Sequence, residues 1–432
     1  MLPTVLANFS ARLAALIGLA VATIMVARAG GPADVGAYAL LRMLPGLLGV
    51  LCVSGLPGAM SYFLAPARRD APGLWPSTFA LLAGGAVLGT VLWAAAAPLL
   101  QRAFFPHDST LVIVAAGITV ATQLFLTVAK TSLQGLGDRR GGDVVIAAEE
   151  VAFLPCYGVV LALGIGSTMA LVLGLGIADL LVGVGAWWRV SRRLGWRRLG
   201  VARAPHGWWG RPERNLTRDI AAYGMRGQVG GVVYLLNLRL DFVLLGAMAG
   251  PAVLGMYAVA SKLAELLRLP GTALTWVCYP TLAAESASEA AHRARRLVLP
   301  LLVGLAAATV PFIVLTGPVI QALYGERFHG AVHPAQLLAL GMVLSGASGV
   351  ASGYLYGRGR PGLNSAAMGV GLVLTAALDV ALIPRFGATG AAVASTIAYL
   401  TADGCLLVLL WRHSRDHLVV AEDRIGTLEV TP

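Results

Sequence analysis

Charge is scarce in this chain. Asp, Glu, Lys and Arg make up 12% of its 432 residues, about half the share of a soluble globular protein. That excludes a water-soluble enzyme built on a single core, and intrinsic disorder with it. Only four cysteines occur, Cys52, Cys156, Cys278 and Cys405, all inside apolar runs and without metal-type spacing. They read as small core hydrophobes and exclude a disulfide-built secreted module. There is no phosphate-cradling glycine loop, HExxH or nucleophile elbow, so the sequence presents no catalytic constellation and implies no cofactor. The seven histidines lie in connections or near the C-terminal end. His329 with His333, and His413 with His417, have ligand-like spacing, but two histidines in a short segment make a weak zinc signal. No stretch alternates with period two for long enough to suggest a barrel.

What is abundant is apolar surface. Hydrophobic residues make up 57% of the chain and 53 residues are Gly, and the mean hydropathy is +0.77. Spread evenly along the chain, that composition fits a polytopic α-helical membrane protein. Spanning stretches fall at about 5–27, 36–62, 77–101, 110–134, 144–164 and 169–189, then 219–247, 253–281, 297–322, 335–357, 363–384 and 389–412, which predicts twelve helices. The run Leu13–Val26 is followed by Ala27-Arg28-Ala29, which resembles a signal-peptidase site. No basic segment precedes it, however, Arg12 sits within it, and it reaches back to Val5, so a first span is the expectation.

The net charge of +11 is explained by loop asymmetry. With both termini cytoplasmic, the inner connections hold twenty arginines and the outer ones four, namely Arg28, Arg102, Arg327 and Arg385. The positive-inside rule then sets the orientation. One long basic segment, 191–218, interleaves Arg with Trp196, Trp208 and Trp209; a membrane-surface linker explains it more simply than a nucleic-acid patch. The expected organisation is therefore an N-terminal six-helix lobe (1–190), a cytoplasmic linker (191–218), a C-terminal six-helix lobe (219–412) and a cytoplasmic tail (413–432).

The halves are related. GPADVGAYA (31–39) matches GPAVLGMYA (250–258) at an offset of 219, Gly135-Leu-Gly137 matches Gly357-Arg-Gly359 at 222, and Gly166 and Asp179 match Gly390 and Asp403 at 224. Since six is even, both halves cross the membrane in the same sense. They are expected to be related by an axis along the membrane normal, as in alternating-access transporters.

Ionisable residues inside the spans are the informative ones, because each costs about 2.5–3.5 kcal/mol near the bilayer centre unless it faces water or a partner. The cations are Arg12, Arg42, Arg226, Arg239, Lys262 and Arg268; the acids are Glu149, Glu150, Asp179, Asp241, Glu265, Asp379 and Asp403. The first two helices of each half hold six cations against two acids, which suits an anionic substrate, and guanidinium groups suit a diphosphate. The competing explanation is an intrahelical ladder through Lys262, Glu265 and Arg268, with Arg226 and Arg268 snorkelling to the interface. Glu149, Asp179 and Asp403 are the candidates for a coupling ion, set against structural pairing.

Three passages carry a family resemblance: Arg28-Ala-Gly-Gly-Pro-Ala-Asp-Val-Gly-Ala-Tyr-Ala-Leu40; Leu323-Tyr-Gly-Glu-Arg-Phe328 with Gly353-Tyr-Leu-Tyr-Gly-Arg-Gly-Arg-Pro361; and Leu378-Asp-Val-Ala-Leu-Ile-Pro-Arg-Phe-Gly-Ala-Thr-Gly-Ala-Ala392. In this order they resemble the Wzx-like polysaccharide flippases of the multidrug/oligosaccharidyl-lipid/polysaccharide (MOP) superfamily. The resemblance implies transfer of a polyprenyl-diphosphate-linked oligosaccharide from the inner to the outer leaflet of the cytoplasmic membrane, through a cationic cavity and without an ATP site. Membrane lipids, and polymerase and chain-length machinery, are the partners it implies; nucleic acid is not. Where the family often has Asn shortly before the Asp379 position this chain has Thr375 and Ala376, so no role is carried onto that site. The rivals are a lipid II flippase, which usually has two further C-terminal helices, a drug/cation antiporter of the same superfamily, and a major-facilitator transporter. An enzyme that polymerises or ligates polysaccharide is disfavoured by the short outer loops.

Overall fold

The computed structural model describes residues 2–65, 73–194 and 211–428. Among these there is no strand, and the chain is a succession of helices. By contacts it divides into two compact units, 1–235 and 236–432.

The first unit contains α1 (Leu2–Gly30), α2 (Pro32–Cys52), α3 (Leu56–Phe63), α4 (Leu74–Phe104), α5 (Thr110–Ala115), α6 (Ile118–Gly135), α7 (Arg139–Ala162) and α8 (Ser167–Arg193). The expected span 36–62 is broken between α2 and α3, where Ser54 and Gly55 have φ of 54° and 68°. A left-handed pair cannot continue a right-handed helix, and Pro57 restarts the next one near its N-terminus, where a missing N–H costs nothing. Helix α9 (Arg214–Ala249) runs from the first unit into the second. The second unit continues with α10 (Pro251–Ala284), α11 (Ala287–Tyr324), a 3-10 helix (Glu326–Ala331), α12 (Val332–Gly341), α13 (Ser345–Gly357) and α14 (Pro361–Leu428). Helix α14 is two helices joined across a kink at Gly387, where φ is 53° and ψ is −128°.

Eight helices among the described residues are long and apolar enough to cross a membrane, or nine when the bent pair ending in α13 counts as a span. The difference from twelve has visible causes. Helix α10 is 34 residues long but carries Lys262, Glu265 and Arg268 close together, and the side chains of 229–238, in the middle of α9, lie outside the described residues. The kinked α14 counts once. Of the expected basic linker, residues 195–210 with Trp196, Trp208 and Trp209 lie outside the described residues.

The internal repeat is visible in the backbone. Gly31 and Gly250, equivalent at the offset of 219, both precede a helix that opens on proline, with φ/ψ of 88/−163° and 84/170°. Only glycine enters that region without strain, which explains why Gly-Pro recurs.

Each unit has its own core. In the first, Leu56, Met60, Trp75, Leu133 and Trp187 are buried together; in the second, Leu282, Tyr354, Leu355, Leu406 and Leu410 are. Large apolar side chains also point outward, as with Leu299, Val303, Val310 and Val314 of α11, each more than half exposed. Such a face suits hydrocarbon rather than water. Helix–helix contact relies instead on small residues. At the α10–α13 contact a Cβ on Gly349 would collide with the Gly271 carbonyl, and Thr275 Oγ1 bonds to the carbonyl oxygens of Gly271 (3.1 Å) and Gly349 (3.0 Å).

Asp138, in the turn between α6 and α7, ties three helices together. Its Oδ1 accepts from the Gly141 N–H at 3.0 Å, capping α7. From the end of α8, Arg189 donates through Nε (2.7 Å) and Nη2 (3.1 Å), and Arg193 through Nε (2.9 Å). The Arg189 hydrogen bond, chief among these contacts, holds the Asp138 carboxyl well below the usual carboxylate range.

Candidate functional site

In the first unit, Arg42 of α2 faces Glu150 of α7. Its Nη1 and Nη2 donate to Glu150 Oε2 and Oε1 at 2.7 and 2.5 Å, a bidentate pair, and Nη1 also donates to the Tyr38 hydroxyl at 3.0 Å. Both partners are largely buried, so removing either would strand the other's charge. Successive residues on a helix point about 100° apart, and Glu149 accordingly turns to another partner, Lys130 Nζ of α6, at 2.8 Å. Tyr38 stacks on Phe153, and Phe153 on Tyr157, with ring centroids 4.8 and 5.2 Å apart. That row holds α2 and α7 in register beside the ion pair.

Asp179 of α8 completes the cluster. It is 6% exposed, and its Oδ2 has no hydrogen-bond partner among the described residues. With Arg42, Gln123, Glu149, Phe153 and Leu175 it lines a small cavity, and it interacts electrostatically with Glu149, Arg42, Lys130 and Glu150. A membrane-buried carboxylate with an open acceptor can take up a proton or a cation or receive a donor from a moving neighbour.

The second unit has an acidic site of different construction. Asp241 of α9 is 5% exposed; its Oδ1 accepts from the Phe242 N–H (2.9 Å) and its Oδ2 from the Tyr257 hydroxyl (2.6 Å). Ser395 Oγ lies 3.0 Å from the same hydroxyl. Since the single Tyr257 proton goes to Asp241, Ser395 is the donor in that contact. Asp379 is fully buried, both its oxygens lack partners among the described residues, and it interacts electrostatically with Asp241. A separate small cavity is lined by Arg268, Ser345, Thr375, Tyr399 and Asp403, among others. The Arg268 guanidinium lies over the Tyr399 ring at 5.8 Å. Among the described residues no group of three or more His, Cys, Asp or Glu could hold a metal ion.

A family model described as "Polysaccharide biosynthesis protein" matches residues 25–333. The chain belongs to that family. No curated protein matches it. Among solved structures, the lipid II flippase MurJ in its inward closed conformation aligns with 100% of this chain and 94% of its own, at a TM-score of 0.73 and 13% identity. An inward-facing multidrug resistance MATE family transporter of the MOP superfamily aligns over 99% of both chains, at 0.68 and 17%. A eukaryotic MATE transporter covers 95% of this chain and 96% of its own, at 0.56 and 15%. At such identities the likeness is one of fold. With the apolar helices it makes this chain a multi-pass membrane protein that shares the fold of those MOP-superfamily transporters.

The expected cations fall in both units. Arg12 and Arg226 are exposed and Arg42 is paired with Glu150. Arg239, half-buried, lies over the Phe242 ring at 5.2 Å. Lys262 Nζ is 3.2 Å from Glu265, so the expected intrahelical contact forms. Of the coupling candidates, Glu149 and Asp179 line one cavity and Asp403 the other. Sequence reasoning missed Lys130, although its place in an apolar stretch, as one of only two lysines, was a usable signal. It also passed over Tyr257 and Ser395, whose hydroxyls are unremarkable until folding brings them to Asp241.

Proposed function

We propose that this protein is a Wzx-like flippase. It moves polyprenyl-diphosphate-linked oligosaccharide repeat units from the inner to the outer leaflet of the cytoplasmic membrane by alternating access, for surface polysaccharide synthesis. The observation that carries this reading is the polysaccharide biosynthesis family match over 25–333 on a chain with the MOP-superfamily fold. In this reading there are twelve spans in two six-helix lobes, with α14 crossing twice and both termini cytoplasmic, and the protein is a transporter rather than an enzyme.

The diphosphate would be held by cations drawn from Arg12, Arg42, Arg226, Arg239, Lys262 and Arg268. Two of them already have carboxylate partners, Arg42 with Glu150 and Lys262 with Glu265. The substrate's phosphoryl oxygens would compete for these donors, which keeps the cations solvated or paired while the site is empty.

The test is a deletion strain in which lipid-linked oligosaccharides are extracted and surface polysaccharide is assayed. Accumulation of complete repeat units with loss of the surface polymer supports the flippase and identifies the glycan. A second reading, lipid II transport, is favoured by the structural likeness to MurJ; accumulation of lipid II in the same extracts would establish it. Unchanged pools with raised sensitivity to cationic drugs would point to an exporter.

A further inference from the structure

The cavity in the first unit has a counterpart in the second. An offset of 222 carries Gln123, Glu149 and Phe153 onto Ser345, Gly371 and Thr375, and one of 224 carries Leu175, Ala178 and Asp179 onto Tyr399, Ala402 and Asp403. All twelve residues line their respective cavities. The duplicated pocket has kept its aspartate but not its charges, since Glu149, Glu150 and Lys130 correspond to Gly371, Leu372 and Ser352. The first pocket has therefore become a charged cluster on its own.

That cluster has an odd count. Arg42 and Lys130 are each matched by a glutamate in contact, Glu150 and Glu149. Asp179 is the third carboxylate; it is buried, it lines the cavity, and its Oδ2 has no hydrogen-bond partner among the described residues. The groups facing it are Arg42 and Tyr38 from α2, Gln123 and Lys130 from α6, and Glu149 and Glu150 from α7. With every carboxylate ionised the cluster carries one uncompensated negative charge inside the membrane, an expensive state. One bound proton makes it neutral.

A metal cation would also neutralise it, but the ligands are wrong. Hard cations take about six oxygens. Here Glu150 is committed to Arg42 through both oxygens and Glu149 to Lys130 through one. The Gln123 amide donates to the Leu41 carbonyl (3.1 Å) while its Oε1 abuts Gly46.

We propose that Asp179 is a proton-exchange site and that Arg42 reads its state. With Asp179 protonated, Arg42 stays on Glu150. When the proton leaves through the cavity, the Asp179 carboxylate competes with Glu150 for the same guanidinium, and the α2–α7 contact loosens as an α2–α8 contact forms. No bond other than O–H is made or broken, and the proton comes from and returns to water. The flippase reading enters only in what this exchange would drive, so the test omits the glycolipid.

The experiment is an infrared pH titration of the purified full-length protein in lipid nanodiscs, following the C=O stretch of protonated carboxyl groups. The parent should show a titrating band. Asp179→Asn should lose a component of it, and Asp179→Glu should keep that component at a shifted wavenumber. Replacing choline chloride by sodium chloride at constant pH should leave the parent band unchanged. The proposal is overturned if the full band survives in Asp179→Asn, if only Asp403→Asn removes the component, or if sodium abolishes it. Should Asp179→Asn fail to fold, the sodium comparison and the Asp179→Glu shift decide the matter, an unshifted band counting against the site. Failure of the deletion-strain assay with a titrating Asp179 would refute the glycan reading alone.

Discussion

Removing the Asp138 carboxylate should loosen the first unit in a way that separates two contributions. Asp138→Ala deletes the cap on α7, worth about 1 kcal/mol, and the hydrogen bonds from Arg189 and Arg193. Those arginine side chains are 38% and 56% exposed, so screening limits each pair to roughly 0.5–1 kcal/mol, and the total is about 2–3 kcal/mol. Asp138→Asn keeps an oxygen for the Gly141 N–H and should lose only the charged part, about 1–2 kcal/mol. Equilibrium unfolding in mixed micelles, followed by circular dichroism, measures both. The pH dependence supplies an independent check. Because the folded carboxyl is held below its ordinary range, its contribution is complete above the unfolded value and lost only as pH falls through and below about 4. The stability gap between the parent and Asp138→Asn should thus be flat from about pH 8 to 5 and close in stronger acid. A gap already closing between pH 7 and 5, or an Asn variant as stable as the parent, would refute the assignment.

Gly349→Leu should destabilise the second unit by at least the roughly 1–3 kcal/mol of an overpacked contact, since the added side chain meets the Gly271 backbone; Gly369→Ala, with open space around it, should cost nothing in the same unfolding assay. Gly31→Ala and Gly250→Ala should each cost about 1–3 kcal/mol by forcing a glycine-only conformation, and similar losses at both sites would support the repeat. Neutralising any two of Arg12, Arg42, Arg239 and Lys262 should abolish surface-polysaccharide export while leaving membrane insertion intact; normal export by every pair would remove these residues from the substrate site. Arg42→Ala should destabilise by about 3–5 kcal/mol because it strands Glu150, and Arg42→Ala/Glu150→Ala should recover part of that loss in the double-mutant cycle.

Much of the helical framework was legible because apolar length and Gly-Pro punctuation report directly on a membrane chain. The expected spans from about 36 and 253 fall within α2 and α10, which begin a few residues earlier, at Pro32 and Pro251 of the repeated Gly-Pro step, and α6 ends at Gly135 of Gly135-Leu-Gly137. The break between α2 and α3 was not foreseen, because hydropathy runs unbroken through Val53-Ser54-Gly55 and only the left-handed backbone there interrupts the helix. For the site, counting ionisable groups inside spans identified Arg42, Glu149, Asp179 and Asp241 but not their partners. That Glu150 would meet Arg42, 108 positions away, depends on how α2 and α7 pack. Helical spacing could suggest only local contacts within the Lys262, Glu265 and Arg268 ladder, of which the Lys262–Glu265 pair forms.

The two units also show how a duplicated scaffold can carry unlike chemistry. The backbone devices recur at equivalent places: Gly31 with Gly250, Gly137 with Gly359, all at positive φ. The buried charges do not. The first unit gathers five ionisable groups around Asp179, while the equivalents of Lys130, Glu149 and Glu150 in the second are uncharged. Conversely, Asp241, Ser395 and Asp379 of the second unit correspond to Ala22, Leu171 and Tyr157 of the first, and of that site only Tyr257 has a like counterpart, Tyr38. Each tyrosine hydroxyl nonetheless meets its unit's principal ionic group, Arg42 in one and Asp241 in the other. A glycine at a helix start is constrained by the geometry of its own turn, and both copies face the same constraint. A buried charge is constrained by the neighbours that neutralise it, and once one partner changes the rest must change too. Substitutions at the repeated glycines should therefore behave alike in the two halves, whereas those at Asp179 and Asp403 should not.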